Sequence, residues 1–253
     1  MGSKKTRRHK RQFFKSKQDR LRTMDFVSCK DANRSMDDNA FTLIQYDLTD
    51  EPLNNPYLKK LSPSIRERND DLYELALTKP KEVISEITDL IKKYPEVPMF
   101  YNYLSVAYSQ LSDSENRDAV VLECYKKFPD YLFGRVNYAQ LCLNNGNVEK
   151  IPEIFENKLE LKLLYPQRTK FHISEYMSFM GLIGLYNVKI GERKIAEQYY
   201  KMLKQIDPGH RITKHLKRTL TPPLIIRLLL WLHKKITGKV VTLEEYVKMY
   251  TPH

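Results

Sequence analysis

Glycine is scarce, with 8 among 253 residues, and tryptophan occurs once. That scarcity argues against a turn-rich sheet architecture, and with 42% hydrophobic and 29% charged residues the composition favours helices around a real core. Cysteine is equally sparse. Cys29, Cys124 and Cys142 lie far apart, with no Cys-x-x-Cys spacing and no even count for a disulfide framework, which points to a reducing compartment. The 6 histidines are scattered, and His210 and His215 miss the i, i+4 spacing that shares a helix face, so neither a metal ion nor another cofactor is expected. Long apolar runs are missing too. The most apolar stretch, "LIIRLLLWL" at Leu224–Leu232, contains Arg227 and has about half of the ~20 residues a membrane-spanning helix needs. No apolar segment follows the cationic N-terminus, as a secretory signal would require. The chain is expected inside the cell, in the cytoplasm, with the nucleus or a membrane surface as alternatives.

Motifs of catalysis are lacking as well. There is no phosphate-cradling loop ending in Gly-Lys-Ser/Thr, no His-Glu-x-x-His and no nucleophile elbow. The stretch "GLIGLYNVKIG" from Gly181 is superficially glycine-rich, but its glycines fall in helix-like sequence and at a turn, where close helix packing explains them better than phosphate binding. A non-enzymatic protein is the expectation.

What is present is positive charge at both ends. The net charge is +12, and residues 1–22 hold ten Lys or Arg against Asp19 alone. A second block, Gly209–Lys239, holds eight and no acid, which leaves the body between them mildly acidic. Residues 1–61 are polar and broken by turn residues such as "DEPLNNPY", and read as an extended basic arm. At Ser62 a capping serine precedes Pro63, with Ser64 and Glu67 as an alternative capping box, so regular structure is expected from there.

Four prolines then act as a ruler: Pro95, Pro129, Pro166 and Pro208 each follow an amphipathic run, at spacings of 34, 37 and 42. The lysines of "KKYP" and "KKFP" fall in the last turn of such runs, where cations suit the negative helix end. Before Pro129 stand Tyr101, Leu104, Ser105 and Tyr108; before Pro166, Tyr138, Ala139, Gly146 and Phe155; before Pro208, Gly184, Tyr186, Gly191, Ala196 and Tyr200. This succession of aromatic, small, turn and apolar residues resembles the tetratricopeptide repeat, a helix-turn-helix unit of about 34 residues. The resemblance covers roughly residues 62–208. It loosens after the turn of the third unit, Arg117 stands where the family prefers alanine, and the first unit is expected to be a degenerate repeat or cap.

The resemblance implies an all-α fold: a right-handed α-solenoid of about four antiparallel helix pairs over residues 62–208. Basic capping helices are expected over 209–253, where Thr221-Pro222, Gly238 and the pair Thr242 and Glu245 mark helix ends. The Leu224–Leu232 run is expected to cover the exposed face of the last repeat, as terminal repeats require. The resemblance also implies a concave groove lined by the first helix of each unit. Its positions here are Asn102, Val106, Ser109 and Gln110, then Val136, Asn137, Gln140 and Asn144, then Leu185, Val188 and Lys189. Asparagine and glutamine there would hydrogen-bond a peptide backbone, unless these are ordinary solvated helix faces. One subfamily grips acidic chaperone C-termini with a clamp of basic residues and asparagines. Only Asn137 matches that clamp, and Asn102 and Leu182 occupy basic positions, which argues against that partner.

The basic ends admit several readings. Lys4, Lys5, Arg7, Arg8, Lys10 and Arg11 suit phosphate contact, with Phe13 and Phe14 to stack on bases, or a nuclear import signal, or a solubilising tail. Gly2 with Thr6 also satisfies the N-myristoylation pattern, and the adjacent lysines would supply the second anchoring signal. Near the other end, Arg211, Lys214, His215 and Arg218 share a helix face beside an apolar stripe of Ile212, Leu216 and Leu220. That face is either solvated or a contact for an acidic partner, RNA or anionic lipid. Trp231 with Arg227, Lys234 and Lys235 would suit an interfacial helix, though a buried cap is the favoured reading. The function expected is a scaffold that binds a peptide or helix of a partner protein in its groove. The alternative is a nucleic-acid-associated protein that holds RNA or DNA phosphates with its basic ends.

Overall fold

A computed structural model describes residues 46–221 and 224–238, and over them the chain is mostly helical. After strand β1 (Asp47–Thr49) and a 3₁₀ turn (Leu58–Lys60) come α1 (Pro63–Thr78), α2 (Pro80–Lys93), α3 (Pro98–Gln110) and α4 (Ser114–Lys127). They are followed by α5 (Leu132–Asn144), two short helices α6 (Lys150–Ile154) and α7 (Leu161–Leu164), and strand β2 (Lys170–His172). The chain continues through α8 (Ile173–Lys189), α9 (Arg193–Ile206), α10 (Arg211–Leu220) and α11 (Leu224–Thr237).

Helix starts and stops follow local chemistry. Helices α1, α2 and α3 each open on proline, whose fixed φ suits the first turn and whose missing N–H would have had no partner there. Asp113 caps α4, its Oδ1 accepting from Asn116 N at 3.2 Å. The four ruler prolines each stand two residues past the last helical residue, of α2, α4, α7 and α9. Proline disfavours the helical conformation for the residue before it. Tyr94, Phe128 and Tyr165 accordingly share one backbone conformation, with φ of -130, -131 and -126 and ψ of 64, 70 and 71. The turns inside the units repeat as well: Ser112, Gly146 and Gly191, each two residues past a helix, have φ of 58, 81 and 88. Glycine is the residue that enters this left-handed region without strain. Lys127 of "KKFP" is more than a helix stop, since its Nζ donates to Tyr101 Oη at 2.9 Å.

The pairs α1–α2, α3–α4 and α8–α9 pack internally, and α1, α3, α5, α8 and α10 form a row in which each helix packs on the next. Apolar residues fill two clusters. One centres on Leu72, Ile87, Phe100 and Ala107, the other on Ile151, Phe155, Phe171, Phe179 and Ile183, each of these fully buried. Tyrosines stack between units, as where Tyr125 and Tyr138 lie with ring centroids 4.3 Å apart.

Two regions differ from what the sequence alone leads one to expect. Residues 46–61, assigned by composition to the arm, are packed on the body: β1 pairs in parallel with β2, with Leu48 opposite Phe171. Tyr46 meets the ring of Phe171 at 5.1 Å, and Leu61 is 3% exposed. The partner strand lies more than a hundred residues away, beyond the reach of any local pattern. The second correction concerns α11. Of the Leu224–Leu232 run, Leu224, Leu228 and Trp231 are 79%, 54% and 54% exposed and cover nothing of the last unit. Helix α10 has taken that place, burying Leu216 and Leu220. The seat for α10 is made by the glycines of the Gly181 stretch. A Cβ built on Gly181 would collide with Ile212 Cγ1, and one on Gly184 would lie 2.6 Å from Leu216 Cδ2. Only glycine allows so close an approach.

Candidate functional site

The row α1, α3, α5, α8 and α10 borders a continuous groove of about 1310 Å³. From α3 it is lined by Asn102, Val106, Ser109 and Gln110, and from α5 by Asn137, Gln140 and Asn144. The amides form a ladder: Asn137 Nδ2 donates to Asn102 Oδ1 at 2.8 Å, and Gln140 Nε2 donates to Asn144 Oδ1 at 2.9 Å. Each amide has two donors and two acceptor lone pairs, so every rung keeps capacity for the N–H and C=O groups of an incoming backbone.

The remaining projected positions lie elsewhere. Val136 is 7% exposed and Leu185 is 3% exposed, both in the core, while Val188 and Lys189 fall outside the groove. On α8 the groove is met instead by the N-terminal turns, through Ser174, Glu175 and Ser178. The cause is the length of α8, 17 residues, whose C-terminal half is covered by α9 and α10.

Aromatic side chains give the groove apolar surface: Tyr73 on α1, Tyr103 on α3, Tyr131 before α5 and Phe133 on α5. Burial holds the Tyr131 hydroxyl well above its ordinary pKa, so it stays neutral. Burial also raises Tyr73, and the charge of Arg211, which lines the same groove, pulls it partly back.

The electrostatics are asymmetric. Two carboxylates line the groove and both are engaged. Asp118 pairs with Arg117 at 2.6 Å, and Glu175 pairs with Arg168 at 2.6 Å while accepting from His172 N at 2.9 Å as part of a capping box. Against them, α10 presents Arg211, His215 and Arg218 to the groove, with His210 at its N-cap. Lys214, on the same helix and exposed, is not among the lining residues. The stripe read from the sequence is therefore divided between the groove and the outer surface. Gly2, Lys4, Lys5, Arg7, Arg8, Lys10 and Arg11 lie outside the described residues.

Residues that sequence reasoning missed include Tyr73, Ser178 and His210. Nothing in their local pattern marks them, because the groove is assembled from helices far apart in the chain. Cys124 and Cys142 are buried free thiols, and burial pushes Cys124 up to about 12, so it is unsuited to nucleophilic work. Among the described residues no group of three or more His, Cys, Asp or Glu could hold a metal ion, and no helix is long and apolar enough to cross a membrane. Compared with protein-family models, curated proteins and solved structures, the chain matches none.

Proposed function

We propose that this chain is a non-enzymatic, tetratricopeptide-like adaptor of the cytoplasm: a right-handed solenoid of antiparallel helix pairs whose groove holds an extended segment of a partner protein. The observation that carries the reading is the amide ladder, Asn102 with Asn137 and Gln140 with Asn144, facing one groove from two successive inner helices. Side-chain amides at the spacing of stacked helices satisfy a peptide backbone without reading much of its sequence, which is what a scaffold requires. The repeated turn at Ser112, Gly146 and Gly191 and the repeated aromatic cap before proline support a repeat architecture.

Selection from a random peptide library on the immobilised full chain tests it. Bound peptides should lose affinity by about tenfold or more in Asn137→Ala and Val106→Glu, since each removes or obstructs a groove contact. Circular dichroism should show both variants folded. A library that yields no binder, or binders indifferent to both substitutions, would remove the groove from consideration. The alternative, phosphate binding by the basic ends, predicts a linear fall of log affinity for RNA with log salt that disappears when residues 1–22 are deleted.

A further inference from the structure

We infer that the segment held in the groove is acidic, gripped along its length by the amide ladder and at one side by the Arg211, His215 and Arg218 wall of α10. This rests on the peptide-binding reading above and adds the chemistry of the partner.

The charge inventory of the groove carries it. Asp118 and Glu175 are each neutralised by an arginine at 2.6 Å. Arg211 and Arg218, in contrast, form no ion pair with a carboxylate among the described residues. Both are exposed and both line the groove. They sit seven residues apart on α10, two turns along one face, with His215 between them. A guanidinium binds a carboxylate through two parallel hydrogen bonds, and two such forks at that spacing match carboxylates several residues apart on an extended chain.

The wall is held in place by packing. Ile212 and Leu216 occupy the sites left open by Gly181 and Gly184 of α8, and this rotation of α10 sends Leu216 inward and Arg211, His215 and Arg218 to the groove. Lys214 is left on the outside. These cations belong to a helix beyond the repeats, so the arrangement differs from a clamp built on the inner helices of the repeats themselves. The aromatic flank of Tyr73, Tyr103 and Phe133 provides apolar contact for side chains between the acids.

The same library selection on the full chain, followed by fluorescence anisotropy with one selected decapeptide, decides the matter. The selected pool should be enriched in Asp and Glu, and affinity should fall with added salt. Arg211→Ala with Arg218→Ala should weaken the decapeptide about a hundredfold, about tenfold for each charge-assisted contact. Lys214→Ala, which removes the same charge from the same helix outside the groove, should change affinity less than about twofold. A pool of neutral or basic peptides, still blocked by Val106→Glu, would leave the peptide groove standing and overturn the acidic partner. An empty pool would overturn both. Equal losses in Lys214→Ala and the arginine variants would mean a diffuse field and no wall. Displacement of the decapeptide by a fifteen-nucleotide oligouridylate of equal or higher affinity, lost in the arginine variants, would reassign the wall to nucleic acid.

Discussion

The second and third units place different residues at one structural position, and the consequences spread through each. In the second, Tyr101 is 1% exposed and its hydroxyl donates to Pro95 O at 3.2 Å, with its ring 5.5 Å from that of Phe128. In the third, Arg135 stands at the matching place. It donates to Pro129 O and also pairs with Asp130 Oδ1 at 3.2 Å and Glu156 Oε1 at 2.8 Å. A tyrosine donates to the proline carbonyl and accepts from Lys127 Nζ, and needs no carboxylate. A guanidinium that is 5% exposed must also find carboxylates, and it draws one from the outer half of its own unit.

That outer half is the irregular one. Where the second unit has the continuous helix α4, the third has α6 and α7 separated at Glu156 and Asn157, whose φ values are 55 and 58. The short helices still bury Ile151, Ile154, Leu161 and Leu164, in the same cluster as Phe171 of β2. Hydrogen bonds to Arg135 and Lys158 hold the Glu156 carboxylate below the usual range, with Lys158 the larger influence. The lesson is that the inner helices tolerate little change because they share the row, while an outer helix can be replaced by other packing.

Five substitutions break or sharpen that contrast. The largest effect should come from Arg135→Met, which strips the third unit of its network. We expect a loss of about 2–3 kcal/mol by urea denaturation, below the ~3–5 of a fully buried pair because both carboxylates reach water. Tyr101→Phe at the matching place should cost only about 1–2 kcal/mol, the hydrogen bonds with Pro95 O and Lys127 Nζ. Equal costs would mean that the two units are held alike.

Next comes Gly181→Ala. Overpacking against Ile212 should cost about 1–3 kcal/mol and, by displacing α10, weaken the peptide binding proposed for the groove. Gly146→Ala, where an added Cβ meets nothing within 4 Å, should cost about 1 kcal/mol through its positive φ alone and leave the groove unaltered. Binding that survives Gly181→Ala would separate the seat of α10 from the site.

The smallest effect concerns pH. Burial raises Glu160, at the start of α7, from its ordinary 4.5 to about 7, against a small lowering by the Leu161 N–H. The folded state therefore binds this proton more tightly than the unfolded chain. The stability it contributes is complete below pH 4.5 and is lost as pH rises through about 7. Thermal melts of Glu160→Gln should lack this decline, a difference on the order of 1 kcal/mol. Parallel pH curves for the two proteins would count against it.

Much of the helical framework was legible from residues alone. The prolines mark real helix ends, Gly146 and Gly191 mark real turns, and seven of the projected groove positions on α3 and α5 line one groove. These features are short-range: a cap, a turn or a stripe depends on neighbours within a few residues. On α8 the projection failed because the helix is longer than the pattern, and Leu185 is buried in the core. For β1 no signal existed, because Asp47–Thr49 becomes a strand only by meeting Lys170–His172.

The sequence by itself determined the helix ends marked by proline and glycine, the apolar stripes and the two basic ends. Tertiary structure alone decided which faces meet. It turned Arg211 and Arg218 into a groove and Lys214 out of it, left Leu224 and Trp231 of α11 uncovered, and brought residues 46–61 onto the body. The physical reason is that a helical stripe states only that some face must be covered. The partner is chosen by fit, and here the fit was set by two glycines on α8 that admit Ile212 and Leu216.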